Sequence, residues 1–322
     1  TTGSAVTVEI DVIKPDGTIQ TTKNAGSVAK GASYEYDLSD DGNVPSGFFG
    51  SAVARATNTG GQIAAISNLF SGANGMQVFN GFTSTASQWL VPLFTSRLAN
   101  GLSTPIAVQN ASGGTIGVGQ IVVTCKKDVN SPGAATITLN NTTAVLNTAA
   151  YFFNPVTDTT NIPAQWFGSC TVSSGGAETV VFVQMRTVGT DQAAAYEGIP
   201  ATGTAKTVVV PLYAKRLTNG FATAVTIQNL NPGAVANVSL AYKGASGLPA
   251  NCTTTFNAQI PAGGSLIQNH RTTGGVSQLG EACFGTLTVT STDQPIDAFV
   301  QLTDYFGLSG DTFQAHNAFA IN

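Results

Sequence analysis

Charge is what this chain has least of. Only 9% of its 322 residues are Asp, Glu, Lys or Arg, against about a quarter in an ordinary soluble domain. The net charge is −4 and no Lys/Arg run occurs, which excludes the basic footprint of a nucleic-acid binder. Low charge is not disorder here, because disorder needs high charge and few apolar residues, and 42% of this chain is hydrophobic. No apolar run approaches the ~18 residues of a spanning helix. No basic-then-apolar leader opens the sequence, and no N-terminal hydrophobic helix of the type IV pilin kind. Thr1-Thr2-Gly3-Ser4 reads as a mature terminus left after removal of a signal peptide, or as a cut in a longer chain.

Chemistry-bearing residues are equally sparse. There is no G-x-S-x-G, no H-E-x-x-H and no S-x-x-K set in a fitting context. The two histidines do not assemble a site: His270, in a Thr/Gly-rich loop, is expected to face solvent, and His316 lies near the end of the chain. Asp37, Ser39, Asp40, Asp41 and Asn43 form the densest acidic cluster, but it lacks the EF-hand glycine and terminal glutamate, so it reads as a solvated turn. Gly113-Gly114 and Gly263-Gly264 read as hairpin or bulge glycines, because no helix follows to cradle phosphate. Trp89 and Trp166 adjoin strand words and are read as core or junction residues, with sugar stacking as the alternative. The expectation is a protein that is not an enzyme, with no cofactor and no metal site.

Cysteine is rare but ordered. Cys125 and Cys170 fall in one repeat, Cys252 and Cys283 in the next, which suits two disulfides within repeats and an oxidising, extracellular or cell-surface setting. Asn110, Asn140, Asn141, Asn237 and Asn251 open N-x-Ser/Thr sequons and are glycosylation candidates.

What the chain does have is internal repetition and strand patterning. Val91-Pro92-Leu93 recurs as Val210-Pro211-Leu212, 119 positions on. Arg97-Leu98-Ala99-Asn100-Gly101 recurs as Arg216-Leu217-Thr218-Asn219-Gly220, and Gln109-Asn110 as Gln228-Asn229. Phe167-Gly168-Ser169 has two copies, Phe49-Gly50-Ser51 and Phe284-Gly285-Thr286. Units of about 118 residues follow. Val6, Val8, Ile10 and Val12 alternate with polar residues, and Pro15-Asp16-Gly17 turns the chain. Asn58-Thr59-Gly60-Gly61 reads as a hairpin turn between two short strands, and residues 191–196 are the one helix-tolerant patch. Seven or so short strands per unit predict an all-β chain of three tandem Ig-like antiparallel β-sandwich domains, the first incomplete: residues 1–85, 86–203 and 204–322.

The pattern Pro-Leu…Asn-Gly…Gln-Asn, then Phe-Gly-Ser/Thr, resembles the Ig-like repeats of secreted bacterial surface proteins. It covers most of residues 86–322 and half a unit before them. The resemblance implies sandwich modules on the cell exterior and no catalytic residue. The incomplete module looks like the subunits of donor-strand-assembled pili.

Residues 1–85 contain no counterpart of Val91–Asn110 or Val210–Asn229. A sandwich without those strands exposes core and unpaired backbone edges. The expected function is therefore an extracellular structural subunit that polymerises head to tail by β-strand complementation, with itself as partner; the alternative is a monomeric secreted adhesin or carbohydrate-binding protein that meets surface glycans. Phe313, Ala315, Phe319 and Ile321 are the first donor candidates, and Val6, Val8, Ile10 and Val12 the second. Four such side chains buried at about 1.5–3 kcal/mol each give roughly 6–12 kcal/mol before ordering entropy.

Overall fold

A computed structural model describes residues 5–71, 75–128, 131–189, 192–202, 205–306 and 311–321. The described chain is all-β, with antiparallel sheets, no barrel and no α-helix. Module 1 holds β1 (Val6–Ile13), β2 (Ile19–Val28), β3 (Ser51–Ala56), β4 (Ile66–Ser71) and β5 (Gly75–Asn80). Module 2 holds β6 (Gln88–Ser96), β7 (Leu102–Ser103), β8 (Ile106–Asn110), β9 (Val122–Lys127), β10 (Thr136–Asn140), β11 (Ala150–Phe153), β12 (Trp166–Ser173), β13 (Thr179–Thr187), β14 (Ala193–Glu197) and β15 (Ile199–Pro200). Module 3 holds β16 (Thr207–Lys215), β17 (Phe221–Asn229), β18 (Ala236–Gly244), β19 (Thr254–Ile260), β20 (Ser265–Asn269), β21 (Cys283–Ser291), β22 (Ile296–Asp304), β23 (Gln314–Asn317) and β24 (Phe319–Ile321).

Modules 2 and 3 are the same sandwich built twice. One layer runs β10-β9-β12-β6-β15 and its counterpart β19-β18-β21-β16-β24; the other runs β11-β8-β13-β14 and β20-β17-β22-β23. Alternation explains the layers: Val123 and Cys125 on β9, and Val238, Leu240 and Tyr242 on β18, point inward and are buried, while their neighbours face out.

The repeated words have separable physical jobs. Val-Pro-Leu is a bulge: the β6–β12 register slips across Pro92 and Leu93, and the β16–β21 register across Pro211 and Leu212. Proline cannot donate to a ladder, so a bulge is where a strand tolerates it. Arg97 and Arg216 share a left-handed φ of 44°, and each opens the same tight turn, closed by Gly101 N–H to Leu98 O (2.7 Å) and Gly220 N–H to Leu217 O (2.9 Å). Asn110 and Asn229 are buried clasps. Asn110 Nδ2 donates to Gly114 O and Val145 O, and Asn229 Nδ2 to Ala234 O and Ile260 O. The glycine of Phe-Gly-Ser/Thr is required by contact: a Cβ on Gly50, Gly168 or Gly285 would overlap the carbonyl oxygen of Ile13, Lys126 or Lys243 on the adjacent strand.

Cys125 pairs with Cys170 directly across β9 and β12, and Cys252 with Cys283 at the start of β21. By the chain-entropy account, loops of 45 and 31 residues make each bridge worth about 3–4 kcal/mol. The pair fits an oxidising, extracellular setting.

The structure corrects several expectations. Residues 58–61 do not close a hairpin: β3 pairs β1 and β4 pairs β5, so the turn carries the chain from one layer to the other. Of the helix-tolerant patch, residue 191 lies outside the described residues, and 193–196 form part of β14, because pairing with β13 overrides local preference. His270 does not face solvent. It is fully buried at the end of β20, with Nδ1 2.9 Å from Thr223 Oγ1 and Nε2 3.1 Å from Tyr242 OH. Trp89 and Trp166 are buried, and their indole N–H groups donate to Ala86 O and Ala134 O, which leaves neither ring face for a sugar.

Asp297 on β22 is also buried, and burial pushes its carboxyl up from 3.8 to about 6. A raised acid pKa means the folded state holds its proton more tightly than the unfolded chain does. That contribution to stability is full below pH 3.8 and is lost as pH rises through about 6. Asp297→Asn is therefore expected to raise stability at pH 7 by about 3 kcal/mol and to change little at pH 3.5, as read by urea unfolding at the two pH values.

Candidate assembly interface

Module 1 follows the repeat only in part. Its first layer is β2-β1-β3, matching β10-β9-β12, and its second is β4-β5, matching β13-β14. In module 2, β12 continues to β6, and β13 continues to β8. No described strand stands in either place in module 1, so β3 and β4 each end their sheet.

The effect on the core is direct. Ala52 and Ala54 on β3 are exposed, while Cys170 and Val172, their counterparts on β12, are 1% exposed. Leu69 on β4 is 42% exposed, while Met185, its counterpart on β13, is fully buried. Ile66 and Phe70 are 67% and 73% exposed on the same strand. The unpaired edges β3 and β4 thus carry exposed Ala52, Ala54 and Leu69, while Val8 and Val12 on β1, opposite Ala56 and Ala52, are buried.

The other face of β1–β3 is finished. Glu9 and Asp11 both meet the Arg55 guanidinium, and Asp11 also accepts from Thr22 Oγ1 at 2.6 Å. Arg55 holds the Asp11 carboxyl below its ordinary value.

The donor assignments need correction. β1 is the central strand of its sheet, paired to β2 and β3 along its length, with Val6, Val8 and Val12 buried and Ile10 half-buried, so it is not free to leave. The end of the chain is also spent on its own module: β23 pairs β22 and β24 pairs β16. Phe313 is buried, and Ala315 packs against the module 2 core. Only Phe319 and Ile321, 64% and 53% exposed, present a free apolar surface. Among the sequons, Asn110 and Asn141 are buried with their amides consumed in hydrogen bonds, which excludes glycans there; Asn140, Asn237 and Asn251 are exposed.

Module-to-module contacts repeat along the chain, and sequence reasoning missed them. Phe79 of module 1 meets the Phe182 ring of module 2 at 4.3 Å, and Tyr196 of module 2 meets the Phe299 ring of module 3 at 4.2 Å. Ser51 Oγ donates to Thr148 O at 2.8 Å, and Ser169 Oγ to Gly263 O at 3.5 Å. Glu197 receives both contacts at one position: Asn80 N–H donates to its Oε1 at 3.0 Å, and Asn317 Nδ2 to its carbonyl at 3.0 Å. Asn80, Glu197 and Asn317 are equivalent ends of β5, β14 and β23, opposite Ile66, Phe182 and Phe299.

The Asp311 carboxylate joins all three modules. It accepts from Met76 N–H (2.8 Å), Ala193 N–H (3.3 Å) and Phe313 N–H (3.1 Å), each four residues before those equivalent ends. Equivalent positions of the three modules therefore converge on one carboxylate. The available signal was the recurrence of these positions near the repeat period.

Among the described residues, no group of His, Cys, Asp and Glu is arranged to hold a metal ion. Comparison of the chain with protein-family models and with curated proteins found no match.

Proposed function

We propose that this chain is a structural subunit of an extracellular homopolymer, in which the gap in module 1 is filled by β-strands from an adjacent copy. The observation that carries this reading is the pair of open edges, β3 and β4, around exposed Ala52, Ala54 and Leu69 at positions that modules 2 and 3 bury. Strand addition satisfies backbone groups along both edges and covers the apolar residues in one step. The two open places are those that β6 and β8 hold in module 2, one strand in each layer. Low charge, two disulfides and continuous strand pairing suit a durable assembly outside the cell.

Negative-stain microscopy of the full-length secreted protein, with sedimentation across concentration, tests the proposal. Fibres with a regular axial repeat are expected. Dispersed single subunits at every concentration would contradict it, and so would a strand pair from a preceding segment of the same chain lying in the gap.

A further inference from the structure

We infer that the face of module 3 around Leu212 is the docking site for module 1 of a second copy, in the same arrangement that already joins modules 1 to 2 and 2 to 3. The inference rests on the polymer reading above and names where the copies meet.

The same word stands in two settings. In module 2, Pro92 and Leu93 are buried, and Leu93 lies in a core shared with Phe299 and Phe313 of module 3. β6 there lies against β17 and β22. In module 3 the same word, Pro211-Leu212, is exposed, with Leu212 at 38%. Pro211, Leu212, Phe284 and Gly285 line a shallow depression of about 410 Å³ at that place. His316 stands where Phe79 and Tyr196 stand, and it is exposed instead of stacked. Module 3 thus carries a bare copy of the surface that module 2 uses to hold its successor.

The complementary surface is bare at the other end. Ile66 stands where Phe182 and Phe299 receive their aromatic partners, and it is 67% exposed. A second copy supplies what both ends fit: His316 of one chain against Ile66 of the next. This contact is heterologous and leaves the same two surfaces open at the new ends, so it propagates. The chain's own module 1 does not occupy the Leu212 face, so the array is an open screw and not a closed ring of three.

The gap in module 1 lies at this same contact. Module 3 meets β6 through β17 and β22, and module 1 has β4 in place of β22 but no described counterpart of β17. Seating the next copy therefore places it beside the position where module 1 has no described counterpart of β17.

A chain carrying both Ile66→Cys and His316→Cys, assembled and treated with a short bis-maleimide, should give a ladder of multiples on a denaturing gel. Either single variant should give no ladder beyond a dimer. Leu212→Arg should reduce pelletable polymer at least tenfold while the melting of the single subunit is unchanged. Double-cysteine fibres that assemble yet give no ladder, or Leu212→Arg fibres in normal amount, would overturn this docking face and leave the polymer reading standing. Absence of any wild-type polymer would remove both.

Discussion

Acidifying the Asp297→Asn protein from pH 6.5 to 3 is expected to remove about 5 kcal/mol of stability from module 3, and His270 is the group responsible. Burial lowers its pKa from 6.5 to about 3, and the positive charge of Lys215 adds to the shift. The imidazole is enclosed by Tyr213 and Tyr242 and bonded at both nitrogens, so the fold accepts the neutral ring and resists the cation. The unfolded chain takes up this proton near 6.5 and the folded chain only near 3. Stability is thus full above pH 6.5 and falls through that window.

Asp297 acts with the opposite sign between about 6 and 3.8, which is why the native chain hides much of the effect down to pH 4. Urea unfolding at pH 7, 4 and 3 separates the two groups. Asp297→Asn alone should lose about 3 kcal/mol by pH 4. Adding His270→Gln should flatten the profile over the same range. An unchanged acid slope in the double variant would move the effect to another group.

Gly168→Ala is expected to destabilise module 2 by about 4 kcal/mol or more, the range reserved for a forced steric conflict in a core. The added methyl would overlap Lys126 O on β9, and Gly168 pairs with Lys127 in the ladder there. Relief requires β9 and β12 to separate beside the Cys125–Cys170 bridge, breaking hydrogen bonds that hold both. Gly114→Ala is the control. Nothing lies within 4 Å of a Cβ there, so a change within about 0.5 kcal/mol is expected. Equal melting temperatures for the two variants would show that the strands have slack that the Phe-Gly-Ser word does not reveal.

Much of the fold was legible because period-2 alternation and turn residues are local signals. Val6–Val12 and Val238–Tyr242 read directly as strands. Layer assignment was not legible at residues 58–61, because a Gly-rich turn has the same chemistry whether its flanking strands pair or cross between sheets. His270 misled because its Thr/Gly-rich neighbourhood resembles a surface loop, while its burial comes from β17 and β18, distant in sequence.

The tail was read as a free donor on its apolar pattern. Its alignment with β14 and β15 carried the correct signal, because those strands close their own module. Asn110 was taken as a sequon, yet its recurrence as Asn229 pointed to the buried clasp. The gap in module 1 was visible as a gap in the repeat. The repeating contacts between modules were not, because they join side chains more than 90 residues apart, such as Phe79 with Phe182 and Tyr196 with Phe299.

A reconstruction of the assembled material at side-chain resolution bears most directly on the central claim. A strand from a neighbouring copy is expected hydrogen-bonded along Ser51–Ala56, with a second along Ile66–Ser71. Assembled chains in which both edges stay bare, or are covered by their own polypeptide, would contradict it.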